Sequence, residues 1–167
     1  ALAFFYGGLV RSKNALNTMM MSFVSLGFVG VLWALIGYSL AFSTGGAWVG
    51  DLSRVFLRGV GLEAQGTIPH VLFMAYQGTF AIITAALISG SIVERMRFPA
   101  YTAFITLWVL AVYAPIAHWV WGGGFLSQLG TLGPKWGHGA VDFAGSGVVH
   151  AMGGVAAVWG AKMLGPR

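Results

Sequence analysis

Asp142-Phe-Ala-Gly-Ser-Gly-Val-Val-His150 sets a carboxylate and an imidazole on a stretch that otherwise reads, onward to residue 164, as lipid-soluble helix. Ionisable groups at membrane depth are functional candidates by default, because hydrocarbon tolerates them only with a partner or a task. At a rise of about 1.5 Å per residue, eight positions set His150 roughly 12 Å below Asp142. One then sits near a pore mouth and the other near the bilayer centre, which suggests a path for something small and polar.

The composition around that stretch points the same way. Of 167 residues, 57% are hydrophobic and 8% charged, with mean hydropathy +0.81, whereas soluble domains carry about a quarter charged residues. The chain reads as an all-α integral membrane protein. Its 26 glycines suit a tightly packed bundle, since small residues let helices approach closely in lipid. The formal charge of +5 comes from nine basic residues in short clusters between apolar runs. That distribution excludes the continuous basic face a nucleic-acid binder needs. Zero cysteines exclude disulfides, thiolate catalysis and cysteine-ligated metals.

Four segments reach the ~20 apolar residues a span requires, namely 16–43, 69–93, 98–125 and 142–164, with a half-span at 1–7 before them. Trp119, Trp121 and Tyr113 suit the interfacial ends of the longer spans. Arg11 and Lys13, Arg95 and Arg97, and Lys162 and Arg167 form three alternate basic sites, against Arg54, Arg58 and Lys135 between them. The excess predicts that the three sites are cytoplasmic. The loops 44–68 and 127–140 are then external, with Asp142 at the outer mouth and His150 deeper. The apolar start Ala1-Leu-Ala-Phe-Phe-Tyr6 and the end at Gly165-Pro-Arg167 read as truncations of a longer chain at both sides.

Tyr76 and Phe80, four apart on one helix face, are either ordinary core packing or a pair of rings gating a narrow pore. Gln77 beside them suits an interhelical hydrogen bond. Trp121, followed by Gly122-Gly-Gly124, is either a belt tryptophan or a π face for a small cation, worth about 0.5 to 2 kcal/mol according to desolvation. Asp142 suits an N-cap, and a capping carboxylate at a mouth also attracts cations. His150 has no comparable local role, and a neutral imidazole there suits proton relay or hydrogen bonding to a small amine. His70, His118 and His138 read as interfacial or loop histidines, and their spacing supports no metal site. Glu94-Arg95-Met-Arg97 reads as a cytoplasmic turn with a local ion pair. Hydrolase and nucleotide signatures are absent from the sequence, so no enzyme is expected.

Taken together, the strings Ala3-Phe-Phe-Tyr-Gly-Gly-Leu-Val-Arg-Ser-Lys-Asn14, Tyr76-Gln-Gly-Thr-Phe80, Glu94-Arg-Met-Arg-Phe98, Pro115-Ile-Ala-His-Trp-Val-Trp-Gly-Gly-Gly124 and Asp142 to His150 resemble the ammonium transporter (Amt and Rh) family, in family order across nearly the whole chain. The resemblance implies a trimeric, channel-like transporter of eleven helices with two inverted five-helix halves. Residues 1–167 resemble about five helices of it, most of the N-terminal half. By the same resemblance, Phe80 and Trp121 bind ammonium externally, with the Ala144 carbonyl nearby. Tyr76 and Phe80 form the gate, Asp142 supports recruitment and deprotonation, and His150 is the first of two pore histidines. Tyr76 departs from the phenylalanine usual at the outer gate, and Ser146 stands where glycine is frequent. The second histidine and the serine that complements the external site belong to the other half, so residues 1–167 alone should not conduct.

The expected function is therefore ammonium or ammonia transport through a multi-pass plasma-membrane protein. Ammonium is recruited, loses its proton, and crosses a hydrophobic pore as ammonia. A membrane ammonium sensor of a signalling protein is the alternative. The resemblance implies a homotrimer in a lipid bilayer and a P-II-type regulator, with no cofactor, no metal and no nucleic acid.

Overall fold

A chain this poor in charge has no polar face to offer water along its helices, so only bundle contacts decide which sides turn inward. The computed structural model describes residues 1–129 and 139–166. The readings made on Lys135, His138 and Arg167 lie outside the described residues. The elements are α1 (Leu2–Gly7), α2 (Ala15–Leu32), α3 (Tyr38–Phe42), β1 (Ala64–Gln65), β2 (Ile68–Pro69), α4 (His70–Ile92), α5 (Phe98–Trp108), α6 (Ala114–Val120), α7 (Phe125–Gln128) and α8 (Met152–Leu164). Wide π-helical turns carry α2 into α3 (Trp33–Gly37) and α5 into α6 (Val109–Tyr113), and a third leads into α8 (Ser146–Ala151).

Among the described residues, four segments are long and apolar enough to cross a bilayer: Ser12–Phe42, His70–Ile92, Phe98–Gln128 and Ser146–Leu164. They fall on the four expected spans, and the short α1 takes the place of the half-span. The fold is an all-α membrane bundle, with a two-residue hairpin pairing Ala64 to Pro69 and Gln65 to Ile68. The fourth span corrects the sequence reading, because it starts at Ser146 and not at 142. Residues 143–145 form a bend that ends on Gly145 at φ +82°. His150 therefore lies one helical turn inside its helix, and the rise-based separation of about 12 Å from Asp142 does not apply.

Helix α4 is the centre of the bundle, packed against both α2 and α8, while α2 also meets α1 and α5, and α3 meets α6. Trp33, Tyr38, Tyr101 and Tyr113 are fully buried between these helices. In lipid such packing replaces the hydrophobic effect as the force between helices, because acyl chains are as apolar as leucine. Polar atoms inside the bundle must then find partners within it. The Tyr101 hydroxyl bonds the Ser25 hydroxyl at 2.8 Å and donates to the Ala85 carbonyl at 3.1 Å, tying α5 to α2 and α4. Such interhelical bonds contribute about 0.6 kcal/mol each on average. Leu16, Phe23, Leu107, Val158 and Met163 point outward, a pattern that suits an acyl environment and not water.

Arg11 and Arg95 lie at the same end of the bundle, beside the C-terminal ends of α4 and α8. Glu94 corrects the expected local ion pair. Its carboxylate accepts from the Arg11 backbone and Nε at 3.1 and 3.0 Å and from Asn14 Nδ2 at 2.7 Å, 83 and 80 residues away. Glu94 itself sits at φ +65°, a left-handed conformation that side chains avoid unless the surroundings hold it. The hydrogen bonds from Asn14 and then Arg11 hold its carboxyl down at about 2. The Arg95 guanidinium donates to the carbonyls of Ser91, Ala161 and Gly165, so one cation serves the C-terminal ends of α4 and α8 together.

Candidate functional site

At the opposite end, α4 presents Phe73, Tyr76, Gln77 and Phe80 on one face, spaced as a helix requires for neighbours. The rings of Tyr76 and Phe80 meet edge to face, with centroids 5.1 Å apart and planes at 81°. Phe80 in turn meets Trp121 edge to face at 5.9 Å. This geometry leaves ring faces available, and a ring face is what attracts a cation. Trp121 follows the last residue of α6, and its indole N–H donates to the Asp142 carbonyl at 2.7 Å. That bond brings the bend before the fourth span against the aromatic row. A belt tryptophan facing only headgroups would have no such tie.

These residues line one cleft of about 390 Å³ together with Phe42, Phe73, Val120 and Phe143. Sequence reading named Tyr76, Phe80, Trp121 and Asp142 but missed Phe42 and Phe73, whose rings pack edge to face at 5.2 Å. Phe73 carried a readable signal, since it precedes Tyr76, Gln77 and Phe80 by three, four and seven positions. Phe42 carried none, because it ends α3 and reaches the cleft only through packing. Gln77 departs from the expected interhelical bond. Its Oε1 is buried and makes no hydrogen bond among the described residues.

Asp142 stands four residues before the helix it caps. Oδ1 accepts from the backbone N–H of Gly145 and Ser146 at 2.7 and 2.8 Å, and Oδ2 from Gly147 and Val148, both at 2.9 Å. The Ser146 hydroxyl adds a longer contact of 3.2 Å to Oδ1. One carboxylate thus serves all the free amides of the first turn, where helices concentrate positive partial charge. Burial pushes the Asp142 carboxyl up, but the four amides outweigh it and hold it below the ordinary carboxylate range. The group is an anion fixed at the mouth, with both oxygens engaged.

His150 has the local partner that the sequence did not reveal. Its Nδ1 lies 3.0 Å from the Gly145 carbonyl, which can only accept, so Nδ1 is the donor in this bond. The wide turn makes this possible: Gly145 O also receives the backbone N–H of Val149 and His150 at 3.0 and 2.9 Å. Nε2 makes no hydrogen bond among the described residues. The His150 side chain lies exposed on the surface of this chain, not sealed in an apolar interior as expected, and it does not line the cleft. Ala144 is also exposed, in the bend, and outside the lining.

His70 and His118 are both buried within the bundle, with partners that the sequence did not reveal. His70, 4% exposed, opens α4 with Nδ1 at 3.0 Å from Glu63 and Nε2 at 2.7 Å from the Tyr38 hydroxyl and 3.3 Å from Arg54. The Glu63 carboxyl lies below its ordinary value, held first by the Gly61 backbone N–H and also by His70. His118 is 2% exposed inside α6.

Residues 1–167 match the family model described as Ammonium Transporter Family. The chain is 50% identical to an ammonium transporter of Bacillus subtilis over 99% of its own length and 40% of that protein. It is 41% identical to ammonium transporter Amt1 of Archaeoglobus fulgidus, over 99% and 39%. Among solved structures, Saccharomyces cerevisiae Mep2 superposes with TM-score 0.84 at 35% identity, over 99% of this chain and 36% of that one. A structure named Sensor Amt Protein superposes with TM-score 0.86 at 27% identity, over 99% and 40%. The chain therefore spans about two fifths of the length of the relatives it matches.

Proposed function

This chain belongs to the ammonium transporter family, and from that premise we propose that the protein, at the full length of its relatives, moves ammonium across the plasma membrane. The observation that carries the reading is the cleft where Phe80, Trp121 and Asp142 converge. Stripping water from an ammonium ion costs several kcal/mol. The π faces of Phe80 and Trp121 and the fixed anion at Asp142 offset it together. Tyr76 stands beside Phe80 as the outer element of the gate, and the Ala144 carbonyl lies in the bend nearby.

Asp142 recruits by its field and not as a base. A carboxylate with both oxygens engaged by backbone amides, and a lowered proton affinity, is a poor acceptor for the ammonium proton. His150 is the better relay: its Nδ1–H is committed to Gly145 and its Nε2 is an open acceptor. Ammonia then crosses apolar surroundings while the proton follows histidine or water. A potassium ion of similar size has no proton to lose, which accounts for selectivity. The protein works as a transporter and not an enzyme, in nitrogen uptake, as a homotrimer open to a P-II-type regulator.

The similarity to Sensor Amt Protein favours one rival, an ammonium-binding domain that signals without flux. The higher identity to proteins named ammonium transporters favours transport. Full-length protein in liposomes under an ammonium gradient tests both. Selective ammonium flux that falls in His150→Ala and Asp142→Ala is expected, whereas saturable binding without flux supports the sensor. Flux and selectivity unchanged in both variants would overturn the mechanism.

A further inference from the structure

His118 is a buried titratable group that the transport reading does not use, and both of its ring nitrogens face backbone carbonyls. Nδ1 lies 3.0 Å from the Ala41 oxygen and Nε2 lies 2.9 Å from the Gly46 oxygen. A carbonyl only accepts, so each nitrogen must donate. A neutral imidazole has one N–H, and its bare nitrogen would then face an oxygen lone pair at hydrogen-bond distance. Only the imidazolium satisfies both contacts. The location favours that charge, because Ala41 lies in the last turn of α3 and His118 in the last turn of α6, and helix C-termini attract cations.

No acidic side chain competes for the ring among the described residues. The titratable and charged groups on the segments packed around α6 are Tyr38, Asp51, Arg54, Tyr113, Asp142 and His150. Of these, Tyr38 is bonded to His70, Asp51 to Ser53 and Thr44, and Arg54 to the Phe42 carbonyl and His70. Asp142 caps the fourth span, and His150 bonds Gly145.

The turn that carries Trp121 closes on the main chain of the same residue, while the ring holds the facing loop. Gly122 and Gly124 donate to the His118 carbonyl at 3.1 and 2.8 Å, and Phe125 donates to Ala47 at 2.8 Å. A Cβ on Gly122 would stand 1.9 Å from the Ala41 oxygen and 2.8 Å from His118 Nδ1, so turn and loop are in direct contact. We propose that His118 is a positioning residue, a buried imidazolium that pins residues 41–46 to the turn at 121–124 and thereby holds Trp121 over Phe80.

The consequence for ammonium rests on the transport reading, but the state of the ring does not. Nitrogen-15 NMR of the histidine-labelled full-length protein in lipid, assigned by His118→Gln, should show both His118 nitrogens protonated at pH 6. An unprotonated nitrogen there overturns the proposal. In flux assays His118→Gln should raise KM for ammonium roughly tenfold, the scale of one hydrogen bond to a charged group, with the maximal rate little changed. The ratio of variant to wild-type KM, in which the protonation of ammonium itself cancels, should fall towards one as pH rises through the range where NMR sees the second proton leave. An unchanged KM, or a ratio flat across that range, overturns the positioning role. Absence of flux in the wild type would sink the transport reading alone. In that case the fluorine-19 resonance of labelled Trp121, assigned by Trp121→Phe, decides the clamp: it should move in His118→Gln, and an unmoved resonance overturns the proposal.

Discussion

The indole N–H of Trp121 donates to the main-chain carbonyl of Asp142 at 2.7 Å, across 21 residues of sequence. Through it the aromatic row on α4 and the anion at the start of the fourth span belong to one mouth. The bond uses the edge of the indole, so it does not compete with the π face for a cation.

Two substitutions separate those two uses. Trp121→Phe keeps a ring and loses the donor, a loss of about 0.5–1.5 kcal/mol, whereas Trp121→Leu also loses the π face, a further ~0.5–2 kcal/mol. KM for ammonium should therefore rise in both and further in the leucine variant. Equal KM values for the two would remove the cation–π contribution.

Asp142→Ala leaves four first-turn amides without their acceptor, which on the scale of helix capping destabilises by about 1–2 kcal/mol. Asp142→Asn keeps one carbonyl oxygen and should fall between. Because the folded carboxyl lies below its unfolded value, its stabilisation is present above the ordinary carboxylate pKa and is lost as pH falls through the folded value. Thermal unfolding of the detergent-solubilised protein between neutral and acid pH checks this. An alanine variant as stable as wild type at neutral pH would contradict the capping role.

Acid sensitivity should also arise at the other end, from Glu94. Its carboxyl is held near 2 by Asn14 and Arg11, so its contribution is complete above the ordinary glutamate value and disappears as pH falls towards about 2. The melting temperature of Glu94→Gln should be lower than that of wild type at neutral pH, with the gap closing in acid. A gap that stays constant with pH would argue against the ionised form as the source.

Gly145→Ala meets two obstacles at once. The backbone is at φ +82°, and the new Cβ would lie 2.5 Å from Val149 Cγ2. Strain of this kind costs about 1–3 kcal/mol. The expected result is a less stable protein whose His150 loses its Nδ1 partner, seen as a change in the His150 ring resonances. Unaltered resonances would show that the wide turn survives without glycine.

Tyr76, Phe80 and Trp121 were readable as candidates because aromatic spacing on a helix and a glycine-flanked tryptophan are local patterns, but those patterns left core packing and a belt tryptophan equally open, and only the family resemblance singled out a site. Glu94 was not, since its partners Arg11 and Asn14 approach only when the segment between α1 and α2 closes on the turn after α4. His118 reads as one more interfacial histidine until Ala41 and Gly46 are placed against its ring. Gln77 shows the opposite limit, because a polar residue on a helix face predicts a bond that the packing did not supply.

Hydropathy, glycine content and the alternation of basic clusters determined a multi-pass helical bundle, because the bilayer demands backbone hydrogen bonds closed within each span and apolar side chains along it. Those demands act residue by residue and leave their record in composition and period. The donor roles of the His118 and His150 ring nitrogens and the saturation of Asp142 depend on which carbonyls and amides come within about 3 Å. Those groups are identical in every residue of the backbone, so their placement was decided by the packing of α3 against α6 and by the bend at Gly145.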